Sequence, residues 1–207
     1  MTNVLTKKIR DSLTPEAATK MLKEGNERFV NNLKINRNLL NQMNETSDGQ
    51  NPFALVLSCI DSRTSAELIF DQGLGDIFSC RIAGNILNDD ILGSMEFACK
   101  IAGAKLIMVL GHTECGAIKG ACDHIKIGHL TGLLKKIKPS LKAEKTVTTD
   151  RNSNNSIFVE KVASLNVGEV MKQVLKKSKI LRLMAKKGEI GIIGGMYDVG
   201  SGLVRFY

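Results

Sequence analysis

The chain has 207 residues, of which 43% are hydrophobic and 24% charged, with a formal net charge of +8. This suits one soluble globular domain with a sizeable core; no apolar run approaches the roughly 20 residues of a membrane-spanning helix, and residues 1–18 lack a secretory-type apolar stretch, so cytosolic residence is expected. The basic balance would suit nucleic acid, but aromatics are only 4% of the chain and none is interleaved with the lysines of "LLKKIKPSLKAEK" and "MKQVLKKSKILRLMAKK", which read as solvated faces of packed helices; neither nucleic acid nor membrane is expected as a partner.

In chain order, "TPEAATKMLKEGNERFVNN" opens with Thr14 as N-cap and Pro15 at the first helical position. Ala18, Met21, Leu22 and Phe29 share one face, so an amphipathic helix is expected. The polar "NETSDGQNP" reads as a loop. "FALVLSCI" is short, apolar and bounded by Asn51-Pro52, which predicts a buried strand. "SAELIFDQGLG" predicts a short helix and turn, "DIFSCRIA" a second strand, and "DDILGSMEFACKIAGA" a helix with acidic residues at its start. "KLIMVLGH" is a third buried strand, and "CGAIKGACDH" begins another helix. Beyond the lysine-bearing helix, "TVTTDRNSNNS" is a loop and "IFVEKVASLNVGEVMKQVLKKSKILRLMAKKG" is helical. "IGIIGGMYDVGSGLVRFY" predicts a strand, a Gly-Ser-Gly turn and an antiparallel edge strand. Strands alternating with helices define an α/β class built on a mostly parallel central sheet flanked by helices.

Two strands end in reactive residues. "FALVLSCI" delivers Cys59 and then Asp61 and Arg63; "KLIMVLGH" delivers His112 and then Cys115. Ligand sites in parallel sheets form outside the carboxyl ends of the strands, so the two groups converge if these strands are neighbours. Two thiolates and one imidazole suit zinc, and Asp61 either fills a fourth position or sits beside it. Taken singly, a cysteine after a strand is a small buried hydrophobe, and Cys80, Cys99 and Cys122 keep that reading. Five cysteines, an odd number, argue against a disulfide framework. There is no Cys-x-x-Cys redox pair, and Ser65 stands where a phosphatase-type thiol loop would want arginine.

"CIDSR" together with "GHTECGAIKGA" resembles the β-class carbonic anhydrases. "LKEGNERFV", "GDIFSCRIAGN" and "GGMYDVGSGLVRF" extend that resemblance over most of the chain. It implies a single domain over residues 1–207: an N-terminal helical arm at 1–35, a zinc-site core at 50–125, and C-terminal helices with an edge hairpin at 126–207. It further implies one Zn²⁺ per subunit on Cys59, His112 and Cys115, with Asp61 as a fourth ligand in a closed state. Asp61 and Arg63 would form the catalytic dyad. Gln50, Phe78, Ala83, Phe97 and Gly116 would line the substrate site; Gln50, with no tryptophan anywhere in the chain, points to the plant-type, glutamine-containing group. Phe97 stands where a tyrosine is common, and Ala83 where plant-type members carry valine.

The implied reaction is reversible hydration of carbon dioxide to bicarbonate and a proton by zinc-bound hydroxide. Hydrolysis of carbonyl sulfide or carbon disulfide on the same fold, or a non-catalytic zinc-stabilised binding protein, are the alternatives. The proton relay is unassigned among residues such as His124 and His129. The resemblance also implies a homo-oligomer, at least a dimer, with lining residues crossing between subunits and the N-terminal helix wrapping its partner.

Overall fold

The computed structural model describes residues 4–207. Five strands form its sheet: β1 (Ala54–Ser58), β2 (Ile77–Arg81), β3 (Leu106–His112), β4 (Gly191–Tyr197) and β5 (Val204–Phe206). Their spatial order is β2-β1-β3-β4-β5, with the first four parallel and β5 antiparallel to β4. The helices are α1 (Lys7–Ser12), α2 (Pro15–Val30), α3 (Leu39–Glu45), α4 (Ala66–Ile69), α5 (Asp89–Glu96), α6 (Gly116–Cys122), α7 (Gly128–Leu134), α8 (Lys138–Ala143), α9 (Ser156–Lys177) and α10 (Lys179–Lys186).

The strands read as unbroken apolar runs because both sheet faces are covered. Leu55, Leu57, Ile107 and Val109 point into one core with α5, α6, α9 and α10. Ala54, Val56, Leu106, Met108 and Leu110 alternate to the other, with Ala18 and Leu22 of α2 and Ala66 and Ile69 of α4. The helix expected at Thr14 is α2, where the Thr14 side chain accepts from the Ala17 amide and Pro15 occupies the first turn. Its apolar face docks on the chain's own sheet. Gly111 lets α9 approach β3, since a Cβ there would stand 2.7 Å from a Val167 methyl. Among the described residues no helix is long and apolar enough to cross a membrane.

The elements depart from the sequence reading at three places. The lysine-bearing helix is two, α7 and α8, parted after Leu134; α3, capped by the Asn38 side chain, runs only two residues into the polar 44–52 loop. The helix after Asp89 loosens into a π-helical turn over Phe97–Ile101, closed by Ala102 N–H on the Phe97 carbonyl at 2.9 Å. The long C-terminal helix is two helices, divided at Ser178, whose hydroxyl caps α10 through the Leu181 amide and also donates to Glu96.

From β1 the chain steps outward to β2, then returns past β1 to β3. The carboxyl ends of β1 and β3 therefore flank the point where the winding direction reverses, the usual place for a ligand crevice in such sheets.

Candidate metal centre

The β1–β3 register pairs Leu57 with Val109, so Cys59 and His112 emerge side by side at the same end of the sheet. Cys115 follows as the residue preceding α6. The two sulfurs lie 4.0 Å apart, and both sulfurs and an imidazole nitrogen lie within 4.8 Å of one another. All three residues are buried, at 4%, 1% and 1% exposure for Cys59, His112 and Cys115.

The donor set fits a cation. His112 Nδ1 lies 2.8 Å from the Thr113 carbonyl, which can only accept, so Nδ1 carries the proton and Nε2 presents its lone pair. That Nε2 is buried and has no partner. An orphaned acceptor facing two thiols is costly unless something electrophilic fills the gap. Two sulfurs each about 2.3 Å from a tetrahedral zinc ion stand about 3.8 Å apart, close to the spacing present here. The Cys59 thiol is pushed down by Cys115 beside it and by the Gly84 amide, while Cys115 is pushed up by Cys59 and by burial. The pair therefore loses one proton readily and holds the other until a cation compensates the second charge.

Asp61 lies outside this three-residue group. Arg63 takes both its oxygens, Nε on Oδ1 at 2.9 Å and Nη2 on Oδ2 at 2.8 Å, and the Arg63 amide adds a third bond at 3.0 Å. The guanidinium holds the Asp61 carboxyl well below the usual carboxylate range, so it is ionised and aligned.

Several residues that shape the site carried no signal on their own in the sequence. Arg81, at the end of β2, donates to the Cys59 carbonyl at 3.1 Å and the Asp61 carbonyl at 2.6 Å. The buried Thr64 hydroxyl reaches the same two carbonyls at 3.0 and 2.9 Å. Gly84 directs its N–H at Cys59 Sγ, 3.3 Å away, from a left-handed conformation of φ 68°. Behind it, Asn166 of α9 donates to the Gly84 carbonyl at 2.9 Å, and Ser140 lies 3.3 Å from Asn166 Oδ1. The Thr113 amide donates to the Tyr197 carbonyl at 2.9 Å, tying the His112 turn to β4.

The lining candidates are distributed unevenly. Ala83 adjoins Gly84 in a 3₁₀ turn over Ala83–Asn85. Gly116 follows Cys115 as the first residue of α6, so its N–H is not spent within the helix. Phe78 and Phe97 meet edge to face, with ring centroids 6.3 Å apart. They line a hollow of about 650 Å³ that includes Leu55 and Gly93 but none of the three ligand candidates, and Phe97 is 54% exposed. Gln50 is exposed beside Met43 and Leu74, in a separate hollow. One chain thus joins Cys59, Asp61, Arg63, Ala83, His112, Cys115 and Gly116, and leaves Gln50, Phe78 and Phe97 in hollows that none of these seven residues lines.

Fold and site together define a class: a parallel α/β protein with a soft-ligand cation centre at the switch point of its sheet. The carbonic anhydrase family profile matches residues 54–204, and the chain belongs to that family. Carbonic anhydrase 2 of Mycobacterium tuberculosis is 34% identical over 194 residues, covering 91% of this chain and 90% of its own. The β-carbonic anhydrase CafA of Aspergillus fumigatus superposes with a TM-score of 0.69 at 27% identity, over 93% of this chain and 89% of its own. A tetrameric β-carbonic anhydrase of Sordaria macrospora superposes with a TM-score of 0.68 at 27% identity, over 77% and 82% of the two chains.

Proposed function

We propose that this chain is a zinc enzyme of the β class that catalyses reversible hydration of carbon dioxide to bicarbonate and a proton. The observation that carries this reading is the convergence of Cys59, His112 and Cys115 on one buried point beside an ionised Asp61 locked to Arg63. Zinc held there supplies an acidified water and a positive centre for the charge that develops on the product oxygens.

The chain's own residues do the rest. Asp61 accepts a hydrogen bond from the attacking oxygen and so aims a lone pair at carbon. Arg63 keeps Asp61 ionised and held in a two-bond pair, and so out of the set of residues that would hold the metal. The Gly116 N–H donates to a carboxylate-like oxygen of the product. Ala83 contributes apolar wall beside Cys59, which suits a small apolar substrate.

Gln50, Phe78 and Phe97 reach the centre from a second copy of the chain. β2 has an open edge in the sheet order. Leu39, Leu40, Met43, Leu68, Leu74 and Phe97 are exposed. A homodimer or larger assembly covers them, in keeping with the tetrameric relative. Gln50 and the absence of tryptophan support the glutamine-containing group.

Stopped-flow carbon dioxide hydration by the wild type and by Asp61→Ala, each with its metal content measured, tests the reading. Wild type with one zinc per chain is expected to be active, and Asp61→Ala to keep zinc and lose activity by about 10²-fold or more. A zinc-loaded wild type without hydration activity refutes the enzyme reading, and a fully active Asp61→Ala refutes the dyad.

A further inference from the structure

We propose that the hollow between α6, α7, α8 and the start of α9 binds a phosphate ester of a flat apolar body, the chemistry of a nucleoside diphosphate. The cavity measures about 490 Å³, within the range of small-molecule sites. Its floor is apolar, formed by buried Ala121, Leu134, Leu141 and Phe158. Its rim is cationic, formed by exposed Lys126, Lys135, Lys138, Lys142 and Lys145. None of the three ligand candidates lines it.

The charge of this rim is uncompensated. None of the five lysines takes part in an ion pair among the described residues, and no carboxylate lines the cavity. Lys138 and Lys142 stand one turn apart on α8, where like charges repel one another; Lys135 precedes that helix and Lys145 follows it. A concave, low-dielectric wall concentrates their field rather than dissipating it.

The one guanidinium in the wall is already engaged. Arg151 donates to Glu144 at 2.7 Å and to the carbonyls of Leu141, Glu144 and Val147. It also lies over the Phe158 ring, 4.5 Å from the centroid. Arg151 thus fixes the loop that closes the cavity, while the five ammonium groups stay free. Lysines are point-charge phosphate binders, and an apolar floor beneath them selects an anion that also carries a ring. Solvated helix faces, the sequence reading of Lys135, Lys138, Lys142 and Lys145, need not surround a cavity.

Calorimetric titration of the zinc-loaded full chain with ADP, free of other divalent ions, tests the proposal, with adenosine and inorganic pyrophosphate titrated separately. ADP is expected to bind once per chain, about tenfold or more tighter than either half, and more weakly as salt rises. The combined variant Lys135→Gln, Lys138→Gln, Lys142→Gln is expected to lose about tenfold or more in ADP affinity, with unchanged hydration activity and thermal midpoint. No saturable ADP binding, or binding unaltered in the variant, overturns the proposal. Pyrophosphate binding as tight as ADP overturns the role of the apolar floor. Sedimentation with phosphatidylglycerol vesicles separates a free ester from a lipid headgroup. The protein is expected to stay in the supernatant at about 0.15 M salt, and pelleting that the variant abolishes overturns the assignment in favour of a membrane surface.

Discussion

Asn166→Leu is expected to cost more than any motif would suggest. Asn166 is 1% exposed and connects Ser140 to the Gly84 carbonyl, whose residue in turn directs its N–H at Cys59 Sγ. Leucine matches asparagine in rough size but leaves a buried carbonyl and a buried hydroxyl without this partner. Each such loss costs about 1–3 kcal/mol; allowing for some gain from added apolar burial, the net is about 2–4 kcal/mol. For a chain of this length each kcal/mol moves the thermal midpoint by about 2–4 °C, so a drop of about 5–15 °C is expected. Scanning calorimetry of zinc-loaded protein at fixed concentration measures it. Zinc release into a chromophoric chelator supplies the second readout, because a shifted Gly84 withdraws its N–H from the ligand sulfur. A variant melting within about 2 °C of wild type and releasing zinc no faster would refute the idea that α9 supports the centre through this ladder.

Arg81→Met should lower kcat/KM about tenfold, about 1.4 kcal/mol, with zinc content unchanged, because the carbonyls of Cys59 and Asp61 lose a shared clamp. Arg81→Lys should recover only part of this, since the fork is lost; full activity in Arg81→Met would refute it. Glu144 is held down to about 2 by the Thr146 hydroxyl, with help from nearby amides and Arg151. Its stabilisation is therefore complete above the unfolded value of about 4.3 and lost as pH falls towards the folded one. Denaturant titrations should show wild type losing more stability than Glu144→Gln between these pH values, and parallel curves would refute it. Burial holds the Cys99 thiol up to about 12 and Cys122 up to about 11, so both are neutral at physiological pH. Cys99→Ala and Cys122→Ala should each keep one zinc per chain, whereas Cys59→Ala should lose it; metal analysis decides.

What the sequence disclosed depended on the kind of interaction involved. Cys59, His112 and Cys115 were legible because apolar runs stop at them, and strand ends are where such sheets expose chemistry. The parallel class followed from the same runs, since residues on both faces are apolar. The neighbouring of β1 and β3 was only a condition, because nothing local encodes strand order. The roles of Arg81, Thr64 and Asn166 were invisible for a shared reason: each bonds to main-chain carbonyls, and a carbonyl has no residue type to match. The β1–β2 register, which sets Arg81 opposite Ser58, is the signal that would have found the first. Ser178 was legible in principle as an N-cap, but the lysines and apolar residues on either side continue a helical pattern across it. The π turn at Phe97–Ile101 has no compositional mark.

The His112 ring takes its orientation from the main-chain carbonyl of position 113, and the amide of the same residue is in turn tethered to the carbonyl of residue 197. The candidate ligand His112 is thereby indexed to the alignment of two strands. The Thr113 hydroxyl adds a second tie, accepting from the Val199 amide at 3.0 Å, and a one-residue slip of β4 against β3 would break both ties and exchange the faces of the sheet. Sheet register, ordinarily a matter of core packing, here also calibrates the spacing of the three candidate ligands.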